Sequence, residues 1–298
     1  MKNASTHAKL LAVAFIWGLG WVAGRVVARD IPPFTAGWVR YILAVGCFFL
    51  FLFATKQWVT PSRDQWKIIT AIGFLSTFLY QAFFMYGMKW TAAGDASLMI
   101  TFNPLFTAIL AVPFLGEKFD KRLGLGLLSA VCGVVVIAWY SPNVDLPVNE
   151  RLLGDALIAM SALSWACTTI LMKKALSGEN ALSPLHLTVW SSAVGLLIQT
   201  PAVIWEYSQV GVPLDAGLDA WAWLAFLAIF STVLSYVWFA DGIKIIGAGR
   251  SAMYVYLVPI FGILSGWLLL DEKLGLSLVA SFVLIVGGVY LAQSKESS

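Results

Sequence analysis

Apolar residues run along this chain in ten long blocks, separated by short polar breaks. The blocks cover approximately residues 8–29, 34–55, 66–88, 95–115, 123–140, 152–175, 184–205, 219–242, 250–270 and 275–293. A helix needs about 20 mostly apolar residues to cross a bilayer, so each block predicts one spanning helix. Breaks such as "TKQWVTPSRDQ" and "YSPNVDLPVNER" carry proline and charge, as connections do. No soluble domain fits between the blocks. The basic start "MKNASTHAKLL" leads directly into a full-length apolar run. It predicts a first membrane helix rather than a cleaved signal peptide.

Composition agrees with this pattern. Hydrophobic residues make up 60% of the 298 positions and charged residues 12%, with mean hydropathy +0.83. Water cannot solvate a fold that apolar, and lipid is the expected solvent. Lys and Arg near helix ends set the orientation. With the N-terminus cytoplasmic, 13 of the 19 Lys and Arg residues fall on that side and 6 on the other. Ten spans then return the C-terminus to the cytoplasm. Cys47, Cys132 and Cys167 all lie inside predicted helices and read as small packing residues, with no disulfide framework. The net charge of +3 is spread over loops, so nothing calls for nucleic acid.

The pattern repeats. "GMKWTAAGDAS" (Gly87–Ser97) matches "GIKIIGAGRSA" (Gly242–Ala252) at an offset of 155. The same offset relates Ser76-Thr77 to Ser231-Thr232, Pro104 to Pro259, and Glu117-Lys118 to Glu272-Lys273. Upstream, "AFIWG" around Trp17 matches "ALSWA" around Trp165 at 148. Two repeats are expected, residues 1–145 and 146–298, each with five helices. An odd number of spans per repeat inverts the second copy in the membrane. The fold class is therefore an all-α integral membrane protein of ten transmembrane helices in two inverted five-helix repeats, a plan common among secondary transporters.

These features carry a family resemblance that covers essentially the whole chain. Trp17-Gly18, the Ala-Gly-Asp-Ala-Ser turn at Ala93–Ser97, Pro104 followed by Gly116-Glu117-Lys118, and the second copy's Pro259 and Glu272-Lys273 resemble the drug/metabolite transporter superfamily, EamA type. Within it the chain looks most like the YddG-type exporters of aromatic amino acids, on length, tryptophan richness and the character of helices one, three and six. The resemblance implies an exporter of amino acids and related metabolites in the bacterial inner membrane.

Polar and aromatic residues on a spanning helix should face the bundle interior. Sorted by helical spacing, the expected substrate-binding residues are Trp17 and Trp21 in helix one, and Tyr80, Gln81 and Phe84 in helix three. Helix four adds Thr101 and Asn103, helix six Trp165 and Thr169, helix eight Ser235 and Tyr236, and helix nine Tyr254. Pro104 and Pro259 each remove a backbone donor and are, with Gly24, the expected gates or hinges. Helices five and ten carry small and aliphatic residues, with Gly133 and Gly287-Gly288 available for close packing, and are expected to make helix-helix contacts at the edge rather than line a pathway.

A cavity of aromatic faces, hydroxyls and amides suits a neutral zwitterion with an apolar side chain. Arg40 lies about a turn inside helix two and could pair with backbone carbonyls or guide an anionic group. No acidic residue clearly occupies mid-membrane, which points to facilitated export; Asp241 is the candidate that would reverse this. The expected partners are a small-molecule substrate and the bilayer, and the chain is compatible with a monomer. An integral membrane enzyme would need a catalytic constellation at one interface. With two separated histidines, no H-E-x-x-H and no P-loop, no enzymatic activity, metal or cofactor is expected.

Overall fold

The computed structural model describes residues 2–116, 119, 121–143, 147–176, 182–213, 215–246, 251 and 254–293. Among them every regular element is helical. The helices are α1 (Lys2–Asp30), α2 (Pro33–Ala54), α5 (Lys121–Tyr140), α6 (Val148–Ala175), α7 (Pro184–Val210), α9 (Val258–Leu270) and α10 (Leu276–Gln293). Three more are composite. In α3, Arg63–Gly73 and Tyr80–Trp90 flank a π-helical segment, Phe74–Leu79. In α4, Ala93–Met99 and Asn103–Leu115 flank a 3₁₀ turn, Ile100–Phe102. In α8, Leu218–Phe226 and Ser235–Ile246 flank a second π segment, Leu227–Leu234. Eight of the ten, α1 to α8, are long and apolar enough to cross a membrane, while α9 and α10 are shorter apolar helices.

Local chemistry sets the ends. Pro33 and Pro184 occupy the first turns of α2 and α7, where a missing N–H costs nothing. Ser62 and Gln65 form a capping box at α3. Gly116 (φ 69°) ends α4 and Asp271 (φ 54°) ends α9, both in the left-handed region. These two caps stand 155 residues apart, the offset of the sequence repeat. Glu117, Lys118 and the expected boundary at 145/146 lie outside the described residues.

The two prolines mark breaks in α-helical geometry. Pro104 lies in the first turn of the segment that follows the 3₁₀ turn. Pro259 lies in the first turn of α9, directly after a turn at Tyr256–Leu257. Each lacks the N–H that would have bonded the carbonyl four residues earlier, at Ile100 and Val255. The break explains why α9 begins at Val258 rather than at the start of its apolar block.

Helix α1 touches α3, α4, α8 and α9, and Leu10, Val13, Ala14, Val22, Ala23 and Val27 on it are fully buried. Helices α5 and α10, both expected to make edge contacts, pack on each other. A Cβ on Gly126 would lie 2.4 Å from the Gly288 carbonyl oxygen, and one on Gly288 2.5 Å from that of Gly126. Only glycine allows backbones this close, and dispersion at that distance substitutes for a hydrophobic drive that lipid does not supply. Ser129 adds a hydrogen bond to the Leu284 carbonyl at 2.8 Å.

Gly288→Leu should therefore push α5 and α10 apart and cost about 1–3 kcal/mol. The neighbouring Gly287 meets nothing within 4 Å, and Gly287→Leu should leave stability unchanged. Thermal unfolding in detergent measures both. Equal effects from the two substitutions would remove the case for close packing.

Candidate functional site

A cavity of about 400 Å³ lies inside the bundle, within the range usual for small-molecule sites. Its wall is a connected series of rings from α1, α3, α6 and α8. Phe239 stands 5.3 Å from Trp17, Trp17 6.3 Å from Tyr236, Tyr236 6.4 Å from Trp165 and Trp165 5.3 Å from Tyr80. Tyr80 then stacks on Phe84 at 6.1 Å, and Phe84 meets Trp21 at 5.4 Å. All seven side chains line the cavity. Such a wall offers broad apolar contact with polarised faces and edges.

The π segments place polar groups against these rings. A π turn leaves backbone carbonyls without their usual i+4 partner. Trp17 Nε1 donates to the Ser231 carbonyl at 3.0 Å, which ties α1 to the π turn of α8. Thr232 Oγ1 donates to Leu227 O, five residues back, at 2.9 Å. The same oxygen accepts from Arg40, at 3.1 Å from Nε and 2.9 Å from Nη2. Arg40 Nη1 donates to Gln81 Oε1 at 3.3 Å.

The cavity extends from Trp21 and Phe84 toward Met172, Pro184, Leu185 and Thr188, at the end of the bundle where α1 begins and α7 begins. Helix ends at the opposite end are tied together by polar groups. Glu206 on α7 accepts from the Phe34 and Thr35 amides at 3.1 and 2.7 Å, and from Thr35 Oγ1 at 2.7 Å. Glu272 accepts from the Ala93 and Gly94 amides at 2.6 and 2.9 Å. These carboxylates cap the N-termini of α2 and α4, where the helix dipole favours negative charge. Burial pushes the Glu272 carboxyl up, against the pull of those two amides and of the Arg25 and Arg29 charges. Arg25 donates to the Met88 and Lys89 carbonyls that end α3. Deeper in, Thr91 donates to Asp155 and Ser141 donates to Asp95 at 2.7 Å. Arg151 donates to the Ala138 and Asn143 carbonyls.

Of the residues expected from sequence, Trp17, Trp21, Tyr80, Phe84, Asn103, Trp165 and Tyr236 line the cavity. Gln81 stands behind it, buried against Arg40. Thr101, Thr169 and Ser235 turn their hydroxyls onto carbonyls of their own helices, at Leu98, Trp165 and Phe230. Tyr254 meets His7 at 2.6 Å near the start of α1. Gly24 lets the Phe84 ring approach to within 2.8 Å of where its Cβ would be. Pro104 and Pro259 lie at the two helix breaks, and Ile100 and Val255, four residues before them, line the cavity; the Ile100 carbonyl accepts from the Asn103 amide. Asp241 is half-exposed and sits 3.9 Å from Lys9.

Sequence reasoning passed over α7, and in α2 it singled out Arg40 as a guide for an anionic group without counting it or Tyr41 among the binding residues. Arg40 and Tyr41 from α2, and Thr188, Ser191 and Ser192 from α7, line the cavity. The signal in α7 was present: Thr188, Ser191, Ser192 and Gln199 recur at helical spacing. In α2 an arginine inside an apolar run was the marker.

Apolar helices of spanning length around an internal cavity, tied at one end and extended toward the other, define a multi-pass membrane protein built to hold a small molecule. Comparison with known proteins gives the particular family. The EamA-like transporter family model matches residues 5–139 and again 152–293, and the chain belongs to that family. Uncharacterized transporter YetK of Bacillus subtilis is 25% identical over 99% of this chain and 88% of its own length. An Escherichia coli protein described as "Probable amino-acid metabolite efflux pump" is 27% identical over 94% of this chain and 92% of its own. A crystal structure at 16% identity superposes with TM-score 0.65 over 97% of this chain and 96% of the other, which shows a shared fold.

The tied end yields a prediction. Glu206→Ala leaves the first amides of α2 and the buried Thr35 hydroxyl without their acceptor, at a cost of about 1–3 kcal/mol. A lower unfolding temperature in detergent is expected; an unchanged one would show that α2 does not depend on this cap.

Proposed function

We propose that this transporter exports aromatic or other neutral amino acids and related small metabolites across a bacterial inner membrane by alternating access, with both termini cytoplasmic. The observation that carries the reading is the wall of seven rings around a cavity that extends toward the terminus-bearing end. An apolar side chain can stack on those rings, and an ammonium group can rest on their faces. On the same wall the Ser231 hydroxyl can donate to a carboxylate, while Ser76, Thr168 and Ser191 give their protons to carbonyls of their own helices. The name of the Escherichia coli relative supports an amino-acid metabolite as cargo.

The reading of residues 1–145 and 146–298 as inverted repeats has several supports. The family model matches each half separately. The π segments Phe74–Leu79 and Leu227–Leu234 both contain the Ser-Thr pair that repeats at 155. The proline breaks and left-handed caps follow the same offset. In this scheme the two breaks flex as alternating gates, and the end tied by Glu206 and Glu272 opens when the other closes.

Transport is proposed as facilitative, because the cavity wall carries no carboxylate among the described residues. Proton coupling is the second reading, and one observation favours it. Asp95 and Asp155 are buried in α4 and α6 at the tied end, each with one carboxyl oxygen that meets no donor. Buried carboxyls in a transporter are frequent proton carriers.

Counterflow of labelled phenylalanine into liposomes tests both readings. Exchange without a pH gradient is expected. Trp17→Ala, Trp165→Ala and Asn103→Ala should each lower the rate by about tenfold, from lost stacking or hydrogen bonding. Unchanged rates in all three would refute the proposed lining. A rate that needs the gradient and falls with Asp95→Asn would replace facilitation with proton coupling.

A further inference from the structure

Arg40 is the single charged side chain on the cavity wall among the described residues. It is 8% exposed and lies within a spanning helix. A cation buried at such a place is costly unless it meets an anion or performs a task. Its partners here are neutral. They are the Thr232 hydroxyl, the Gln81 amide oxygen and the Tyr41 ring at 5.9 Å. No carboxylate stands within ion-pair distance of it among the described residues.

The surrounding groups are also poor in acceptors. Three of the five guanidinium donors are used, by the bonds to Thr232 and Gln81, which leaves two free. Because Gln81 turns its oxygen to Arg40, its amide nitrogen is left buried with no acceptor. Elsewhere on the cavity wall, toward Gly262, the Trp21 indole N–H has no acceptor either. Donors in excess around one buried positive charge are the complement of an anion. The guanidinium fork matches a carboxylate in particular. An ammonium would meet ring faces and neutral oxygens such as those of Asn103 and the wall hydroxyls, with no carboxylate on the wall among the described residues.

We infer that Arg40 anchors the carboxylate of the transported molecule, and that the cavity takes aromatic monocarboxylates with or without an α-ammonium group. The inference rests on the proposed function in placing the substrate at this cavity, and extends it to deaminated aromatic acids. A monoanion would neutralise the cavity, whereas a zwitterion leaves its charge at +1. The threonine and glutamine that hold the guanidinium come from α8 and α3, so the anchor is fixed by two helices other than its own.

The test uses the full-length protein and three probes that share one ring: phenylalanine, 3-phenylpropanoate, which lacks the ammonium, and phenethylamine, which lacks the carboxylate. Each is added as competitor in the phenylalanine counterflow assay, and each is also tested for thermal stabilisation of the detergent-solubilised protein. Phenylalanine and 3-phenylpropanoate should compete and stabilise at similar concentrations, and phenethylamine should need about tenfold more or fail. Arg40→Gln should lose about tenfold or more in affinity for both acids and none for phenethylamine; Arg40→Lys should recover part of it. Phenethylamine competing as well as 3-phenylpropanoate would overturn the anchor, on wild-type protein alone, while leaving amino-acid export standing. Arg40→Gln protein that is folded and binds the acids unchanged would overturn it too. Selective stabilisation by 3-phenylpropanoate with no phenylalanine exchange would keep the anchor and sink the amino-acid reading.

Discussion

Hydrocarbon neither donates nor accepts hydrogen bonds, so each polar group in the spanning segments of this chain has to be matched from within the protein. The architecture can be followed from that constraint. Helix ends that face one another at the tied end are closed by Glu206, Glu272 and Arg25. Most mid-helix hydroxyls fold back on the carbonyls of their own turns. The carbonyls loosened by the π turn of α8 receive an indole from Trp17 and a hydroxyl from Thr232. What remains unmatched is concentrated near the cavity, where a small molecule can complete it, and around Asp95 and Asp155.

The same constraint explains the division of labour among the helices. α5 and α10 carry little polarity and meet through glycine at backbone distance, so they form a rigid edge. α3, α4, α8 and the approach to α9 each depart from α-helical hydrogen bonding within the span. Those departures face the cavity, through Ser76, Thr77, Ile100, Leu227, Ser231 and Val255. Irregular backbone at membrane depth is tolerated where protein or a cavity, rather than lipid, surrounds it.

Much of this was legible in the sequence, and the reasons are local. Ten apolar blocks could be counted, glycines marked α5 and α10 as packing helices at the edge, and repeated prolines located the two breaks. Aromatic residues at helical spacing identified the rings of α1, α3, α6 and α8. What local pattern could not give were partnerships across the chain. Glu206 looks like an interfacial charge until the Thr35 amide, 171 positions away, is seen against it. Arg40 could be read as pairing with backbone carbonyls or guiding an anion; that it is held on the cavity wall by Thr232, 192 positions away, could not. The π turns left no signature beyond the Ser-Thr pair, because a bond to the fifth residue back is decided by what packs on the helix.

The π segments also carry a consequence for the phase of the helices that contain them. Each α-helical residue turns the chain by about 100°. A widened turn holds one residue more than the regular count, so the stripe of rings that follows it is rotated relative to the stripe before. Tyr80 and Phe84 lie after the segment in α3, and Tyr236 and Phe239 after the one in α8. At the same residue count, either segment made regularly α-helical would swing those rings round by about 100°, away from the cavity and toward a neighbour or the lipid, whereas deleting one residue together with the widened turn would leave them in phase. The cavity wall thus depends on residue count as well as on residue type, and a helix made more regular would be one whose aromatic side chains no longer face the molecule they are there to hold.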